Sequence, residues 1–205
     1  MMKVFLEDGD PLIAKMFQEE GYEIVKEQSA ADIVCFGGGD DVSPELYGEN
    51  NTHSYSNMKR DLHCIYIYNK ARSLGQKCVG ICRGGQFLHV MNGGKLCQHI
   101  EGHRNKTHSV CDITVAGPIH GELWLNVTSD HHQSMSGSQF LDKNSATIGP
   151  NYVYTTLMAK DGTIECITYG HERGRADICY QPHPEWVPKG HECREYFFNL
   201  IRTAY

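Results

Sequence analysis

Apolar positions along the chain fall into short β-type runs that alternate with longer stretches of helical spacing. MKVFLE is a strand-like run, and PLIAKMFQEEG follows it with Pro11 at a helix start and Gly21 at a helix end. GYEIVKE and ADIVCF are the next strand candidates, the second apolar and β-branched enough for a buried parallel strand. GGGDDVSPELYGE gathers turn residues. In RDLHCIYIYNKARSLGQ the positions Leu62, Ile65, Tyr66, Tyr68 and Leu74 suit an amphipathic helix. KCVGIC then reads as a strand, and QFLHVMNGG as a helix capped by Gly93 and Gly94.

This alternation predicts an α/β domain whose parallel sheet is covered by helices on both faces. The second half changes character. HSVCDITVA, LWLNVTS, ATIGPNYVYTTLMAKDGTIECITYG and ADICYQ are strand-like and separated by turn residues; HPEWVPKG and the amphipathic HECREYFFNLIRTAY follow. No repeat, low-complexity tract or linker divides the 205 residues, so one domain over 1–205 is expected.

A net charge of -6 gives no basic footprint for phosphate backbones, which excludes nucleic acid as the expected partner in favour of small molecules or proteins. No stretch approaches the roughly 18 apolar residues of a membrane span, and MMKVFLEDGDPLIAKMF turns acidic too soon for a signal peptide. The expectation is a cytoplasmic protein without a membrane partner; a homo-oligomer is left open. The nine cysteines are odd in number and scattered, which reads as reduced thiols rather than a disulfide framework. Cys78 and Cys82 fall on opposite sides of a strand-to-turn junction and do not converge on a tetrahedral metal. His99, His103 and His108 in QHIEGHRNKTH resemble ligand spacing, but Gly102 breaks any helix there. That segment reads as a solvated loop with polar histidines, and no metal is expected.

Candidate chemistry begins at VGICRGG. A β-branched strand ending in GxCxG before a helix has the build of a nucleophile elbow, its central residue on a tight turn at the carboxyl end of a sheet. Glycines on either side let the backbone bend. The helix N-terminus suits a thiolate at Cys82, and the Arg83 amide points toward an oxyanion formed there. Alone, the motif reads as readily as a buried cysteine beside a turn. A nucleophilic cysteine needs a base, and the base an orienting group. QPHPEW offers His183 and Glu185, two apart in an extended segment and so on one side of it. Alone, that segment reads as a surface loop; the pair of motifs carries the inference.

FGGGDDVSPELYGE, RDLHCIYIYNKA, GICRGGQFLHVMNGGKL, TSDHHQS and QPHPEW, in this order, resemble the class I glutamine amidotransferase superfamily, particularly its γ-glutamyl hydrolase branch, peptidase family C26. The resemblance implies a flavodoxin-like three-layer α/β sandwich with a mostly parallel central sheet, and no cofactor. It implies Cys82 as nucleophile, forming a glutamyl thioester, with His183 as base and acid and Glu185 orienting it. Gly38, Gly39 and the Arg83 amide resemble the oxyanion hole. Gln86, His131, His132 and Gln133 match residues that hold the glutamyl head group of a small γ-glutamyl substrate. Tyr47 is expected to pack and hydrogen-bond below the oxyanion loop, and Arg60 and Asp61 to make helix-start and surface contacts. Three functions compete: a free-standing hydrolase of γ-glutamyl amides, a glutaminase subunit feeding ammonia to a synthase partner, and a binding protein that has lost the chemistry.

Overall fold

The computed structural model describes residues 1–113, 123–136, 147–148, 151–171 and 175–203. Its first half follows the predicted alternation: β1 (Lys3–Leu6), α1 (Pro11–Glu19), β2 (Glu23–Ile24), β3 (Ile33–Phe36), α2 (Met58–Leu74), β4 (Lys77–Ile81) and α3 (Arg83–Met91). Pro11 is the first residue of α1, and Asp10 caps it by accepting hydrogen bonds from the Leu12 and Ile13 amides at 2.7 and 3.1 Å. Gly75, with φ 72°, closes α2 in the left-handed conformation that a side chain disfavours.

The second half supplies β5 (Lys95–Cys97), β6 (Lys106–Asp112), β7 (Leu123–Ser129), β8 (Ser134–Ser136), β9 (Thr147–Ile148), β10 (Asn151–Ala159), β11 (Ile164–His171), β12 (Arg175–Tyr180) and α4 (Glu192–Thr203). Strand order is β2-β1-β3-β4-β12-β11-β10-β6-β7. The sheet is parallel from β2 to β12 and antiparallel beyond it. β5 and β8 pair with each other, and β8 joins β11. These three-residue strands are too short to show a period, so only their pairing reveals them. Positions 114–116, 146, 149–150 and 204–205 of the predicted elements lie outside the described residues. No described helix is long and apolar enough to cross a membrane.

Successive β3 residues point to opposite faces and fill two cores. Ile33 and Cys35 pack with Ile13 and Phe17 of α1 and Phe197 of α4; Val34 and Phe36 pack with Cys64 and Ile67 of α2 and Phe87 of α3. Two helices on each face make the three expected layers.

The buried face of α2 is the predicted one only in part, at Tyr68 with Ile65 packed against the core. Leu62, Tyr66 and Leu74 are exposed, while Asp61, Cys64, Ile67, Tyr68 and Ala71 are buried. The apolar pattern misleads at Asp61, which turns inward to pair with Arg83; the Tyr68 hydroxyl, buried as expected, donates to Asp177 Oδ2 at 2.9 Å.

The topology also positions the chemistry. β3, β4 and β12 are neighbouring parallel strands, with Phe36 beside Gly80 and Tyr180 beside Ile81 in register. Their carboxyl ends therefore deliver the glycine turn, Cys82 and the segment to His183 at one edge, where open α/β sheets hold their ligands.

Candidate active site

Cys82 has φ 52° and ψ -111° and stands immediately before α3. A non-glycine residue in that region is strained, at a cost of about 1–3 kcal/mol, and persists where its surroundings impose it. Here they do. The Cys82 amide donates to Tyr180 O at 2.8 Å, and a side chain at Gly80 or Gly84 would run into the Gly84 or Phe36 backbone. The turn can be this tight only because those two positions are glycine.

His183 is held at both backbone groups by one hydroxyl. Its amide donates to Thr128 Oγ1 at 2.8 Å, and the same hydroxyl donates to its carbonyl at 2.9 Å. Its Nδ1 lies 2.6 Å from Glu185 Oε1, and its ring stacks on Trp186 with centroids 3.7 Å apart and planes 3° from parallel. The Glu185 contact assigns the proton to Nδ1, leaving Nε2 for Cys82. Burial alone would lower the basicity of His183; the nearby Cys82 sulfur and the Glu185 carboxylate outweigh it and bring its pKa up to about 10.

The glycine turn closes against this pair. A Cβ on Gly38 would sit 3.5 Å from His183 Cε1, and Gly39, with φ 123°, runs against the Arg60 guanidinium. The Arg83 side chain turns away from Cys82: its Nε donates to Asp40 O at 3.2 Å, its Nη1 to Cys64 Sγ at 3.2 Å, and its Nη2 pairs with Asp61. Asp61 also accepts the Ser43 amide at 3.0 Å. The expectation of a surface contact at Asp61 is thus corrected, since it is fully buried and ties the glycine turn to α2 and α3. Arg60 does lie in the first turn of α2, where its amide donates to the Asn57 side chain at 3.2 Å, but its guanidinium is half-buried against Glu7 and Asp8 at 3.2 and 3.6 Å. Tyr47 packs in the core on the α2 side. Replacing Asp61 with Ala leaves the Arg83 guanidinium buried without its counter-charge. A loss of about 3–5 kcal/mol is expected in urea unfolding, and a loss under 1 kcal/mol would contradict this account.

The remaining positions divide. Gln86 is buried and donates its amide to Gln133 O at 3.1 Å and Gln181 Oε1 at 3.0 Å. The His132 ring meets Asp41 Oδ2 at 3.0 Å and borders a cavity of about 610 Å³ that Tyr55, His99, Glu101 and Arg104 also line. Gln133 donates to Ser54 Oγ at 2.6 Å. The His131 ring faces Glu165 of β11 instead, its Nε2 3.5 Å from Oε1. The expected solvated loop holds for His99 but not for His103, which is 1% exposed because Glu165 and Ser129 reach it from the sheet.

Gln181 escaped the sequence reading. It is fully buried, and its Nε2 donates to Cys82 Sγ at 3.6 Å. The signal was available: Gln181 precedes His183 by the same two residues that separate His183 from Glu185.

A cysteine at positive φ on a strand-to-helix turn, close to a histidine that a glutamate holds, has the build of a nucleophile elbow. The Peptidase C26 family model matches residues 9–185, and the chain belongs to that family, within the class I glutamine amidotransferase superfamily. Among curated proteins it is 39% identical over 70 residues to a glutamine amidotransferase-like protein of Rickettsia prowazekii, covering 33% of this chain and 25% of that one. It is 26% identical over 157 residues to the carbamoyl phosphate synthase small chain of Wigglesworthia glossinidia brevipalpis, covering 77% and 36%. The matches thus span well under two thirds of those relatives. Among solved structures, a GMP synthase-type protein from Thermoplasma acidophilum superposes with TM-score 0.64 at 17% identity, covering 100% of this chain and 94% of that one. The Trypanosoma brucei CTPS glutaminase domain, solved with bound acivicin, gives 0.57 at 10% identity, covering 100% and 94%. At such identities these two share the fold.

Proposed function

We propose that the protein hydrolyses a γ-glutamyl amide bond through a thioester on Cys82. The single observation that carries this reading is Cys82, at φ 52°, paired with a His183 whose other ring nitrogen is held by Glu185. In the proposed sequence the Cys82 sulfur attacks the γ-carbonyl carbon. The carbonyl oxygen, becoming an oxyanion, takes amide hydrogen bonds from Arg83 and the Gly38–Gly39 turn, each able to lower the barrier by about 3 kcal/mol. His183 gives a proton to the leaving nitrogen, the C–N bond breaks, and the amine departs. Water then attacks the thioester; His183 takes its proton, the C–S bond breaks, and glutamate leaves. Gln86, Gln133 and the 131–133 backbone form the head-group side in this reading. The cavity beside His132 takes the leaving group.

A second reading, a glutaminase subunit serving a synthase, is favoured by the similarity to carbamoyl phosphate synthase small chains. One experiment separates the two: glutamine, γ-glutamyl amines and γ-glutamyl peptides are each incubated with the protein, and products are followed by mass spectrometry. Hydrolysis of γ-glutamyl amines in excess of glutamine, with no partner added, is expected. Turnover of glutamine alone, and only with a synthase present, would replace the first reading with the second.

A further inference from the structure

Three imidazoles converge on one buried carboxylate that the hydrolytic site does not use. Glu165 is fully buried, and its Oε1 lies 3.2 Å from His103 Nδ1, 3.4 Å from His108 Nε2 and 3.5 Å from His131 Nε2. Neither Glu165 oxygen, nor His108 Nε2, nor His131 Nε2 makes a hydrogen bond of acceptable geometry.

The outer partners of two rings say what faces inward. His131 Nδ1 lies 2.8 Å from Gln133 O, and His103 Nε2 lies 2.8 Å from Asp161 Oδ2. Each of those oxygens accepts only, so each of those nitrogens carries the hydrogen. In a neutral ring the opposite nitrogen is then a bare lone pair, and both nitrogens lie beside a carboxylate oxygen. Such a meeting of acceptors is relieved by a positive charge between them, either a proton or a metal ion.

We propose that His103 Nδ1, His108 Nε2 and Glu165 bind a divalent cation of the zinc type, with His131 Nε2 as the fourth donor. The first three donor atoms lie within 4.8 Å of one another. Around zinc, with bonds of about 2.1 Å, neighbouring tetrahedral donors stand about 3.4 Å apart, and the three distances to Glu165 Oε1 bracket that edge. Imidazole and carboxylate are suitable donors. Asp161 on His103 and the Gln133 carbonyl on His131 supply the outer hydrogen bonds that orient metal-bound histidines. A cavity of about 220 Å³ bordered by His103, His108, Lys160 and Asp161 gives entry. The ion's role is structural. It joins β6 and β11 to the 131–133 segment, whose Gln133 carbonyl also receives Gln86.

The test uses the full chain after chelation and dialysis, titrated with Co²⁺ and then Zn²⁺. One Co²⁺ per chain is expected, with the visible bands of tetrahedral nitrogen and oxygen ligation, no thiolate-to-cobalt band, and displacement by Zn²⁺. His108→Ala, at a partly exposed ring, is expected to abolish stoichiometric binding. Asp161→Asn, at a half-exposed side chain, is expected to weaken it about 10–100-fold with an unchanged circular dichroism spectrum. Wild-type binding no tighter than that of His108→Ala would overturn the proposal and leave the cluster held by protons. A thiolate band insensitive to His108→Ala would overturn it as well.

Discussion

Cys82→Ala is expected to reduce turnover of γ-glutamyl amides by about 10⁵-fold or more, because the proposed thioester forms on its sulfur. The variant should fold, since the elbow is held by the Tyr180 carbonyl and by glycine packing rather than by the sulfur. Strain at this position adds a second expectation. With φ 52° and ψ -111°, Cys82→Gly should be more stable than Cys82→Ala by about 1–3 kcal/mol, the reverse of the usual order beside a helix. Urea denaturation of the two variants measures this. Unchanged turnover in Cys82→Ala would remove the mechanism, and an alanine variant more stable than the glycine one would remove the strain argument. Iodoacetamide labelling gives an independent check once Cys97, the one exposed thiol, is replaced with serine. Modification should then centre on Cys82.

His183→Asn is expected to lower turnover by about 10⁴-fold, since both the departing nitrogen and the incoming water need its proton transfers. The pH dependence follows from a raised pKa. A His183 that holds its proton up to about pH 10 is still an acid at neutrality, so activity should persist well above pH 6.5 and fall as pH rises toward that value. Cys82 and Glu185 both hold the pKa up. In Cys82→Ala the His183 ring, followed by NMR, should therefore titrate lower than in the parent protein. In Glu185→Gln the alkaline limb of kcat/KM should shift to lower pH. A ring that titrates near 6.5 in the unmodified protein would contradict this electrostatic account.

The parallel half of the fold was legible because each element carried its own punctuation. Pro11 opens α1 and Gly93 follows α3 at positive φ, while ADIVCF is apolar and β-branched enough to read as a buried parallel strand and KCVGIC as the strand after α2. The same local reading misplaced part of the buried face of α2. Leu62 and Tyr66 look like core by type, and Asp61 looks like surface until Arg83, 22 residues away, is brought to it. β5 and β8 were invisible for a related reason, since a three-residue strand is specified by its neighbour and has no period of its own.

Within the candidate site, chain-local features showed themselves: the glycines around Cys82 and the i, i+2 spacing of His183 and Glu185. Contacts that depend on strands far apart in sequence did not. Gln181 reaches the Cys82 sulfur because β12 lies beside β4. His103, His108, His131 and Glu165 meet because the fold brings His108 of β6 and the segments carrying His103 and His131 to Glu165 of β11, which spacing along QHIEGHRNKTH could not express. The sequence by itself determined which residues can bend the chain, which side-chain types could serve as nucleophile and base, and which of the longer segments become strand or helix. These depend on local sterics and side-chain chemistry. Only the tertiary structure decided which polar groups are buried, with what partners, and how His183 comes to hold its proton, because burial and charge pairing are properties of the assembled strands.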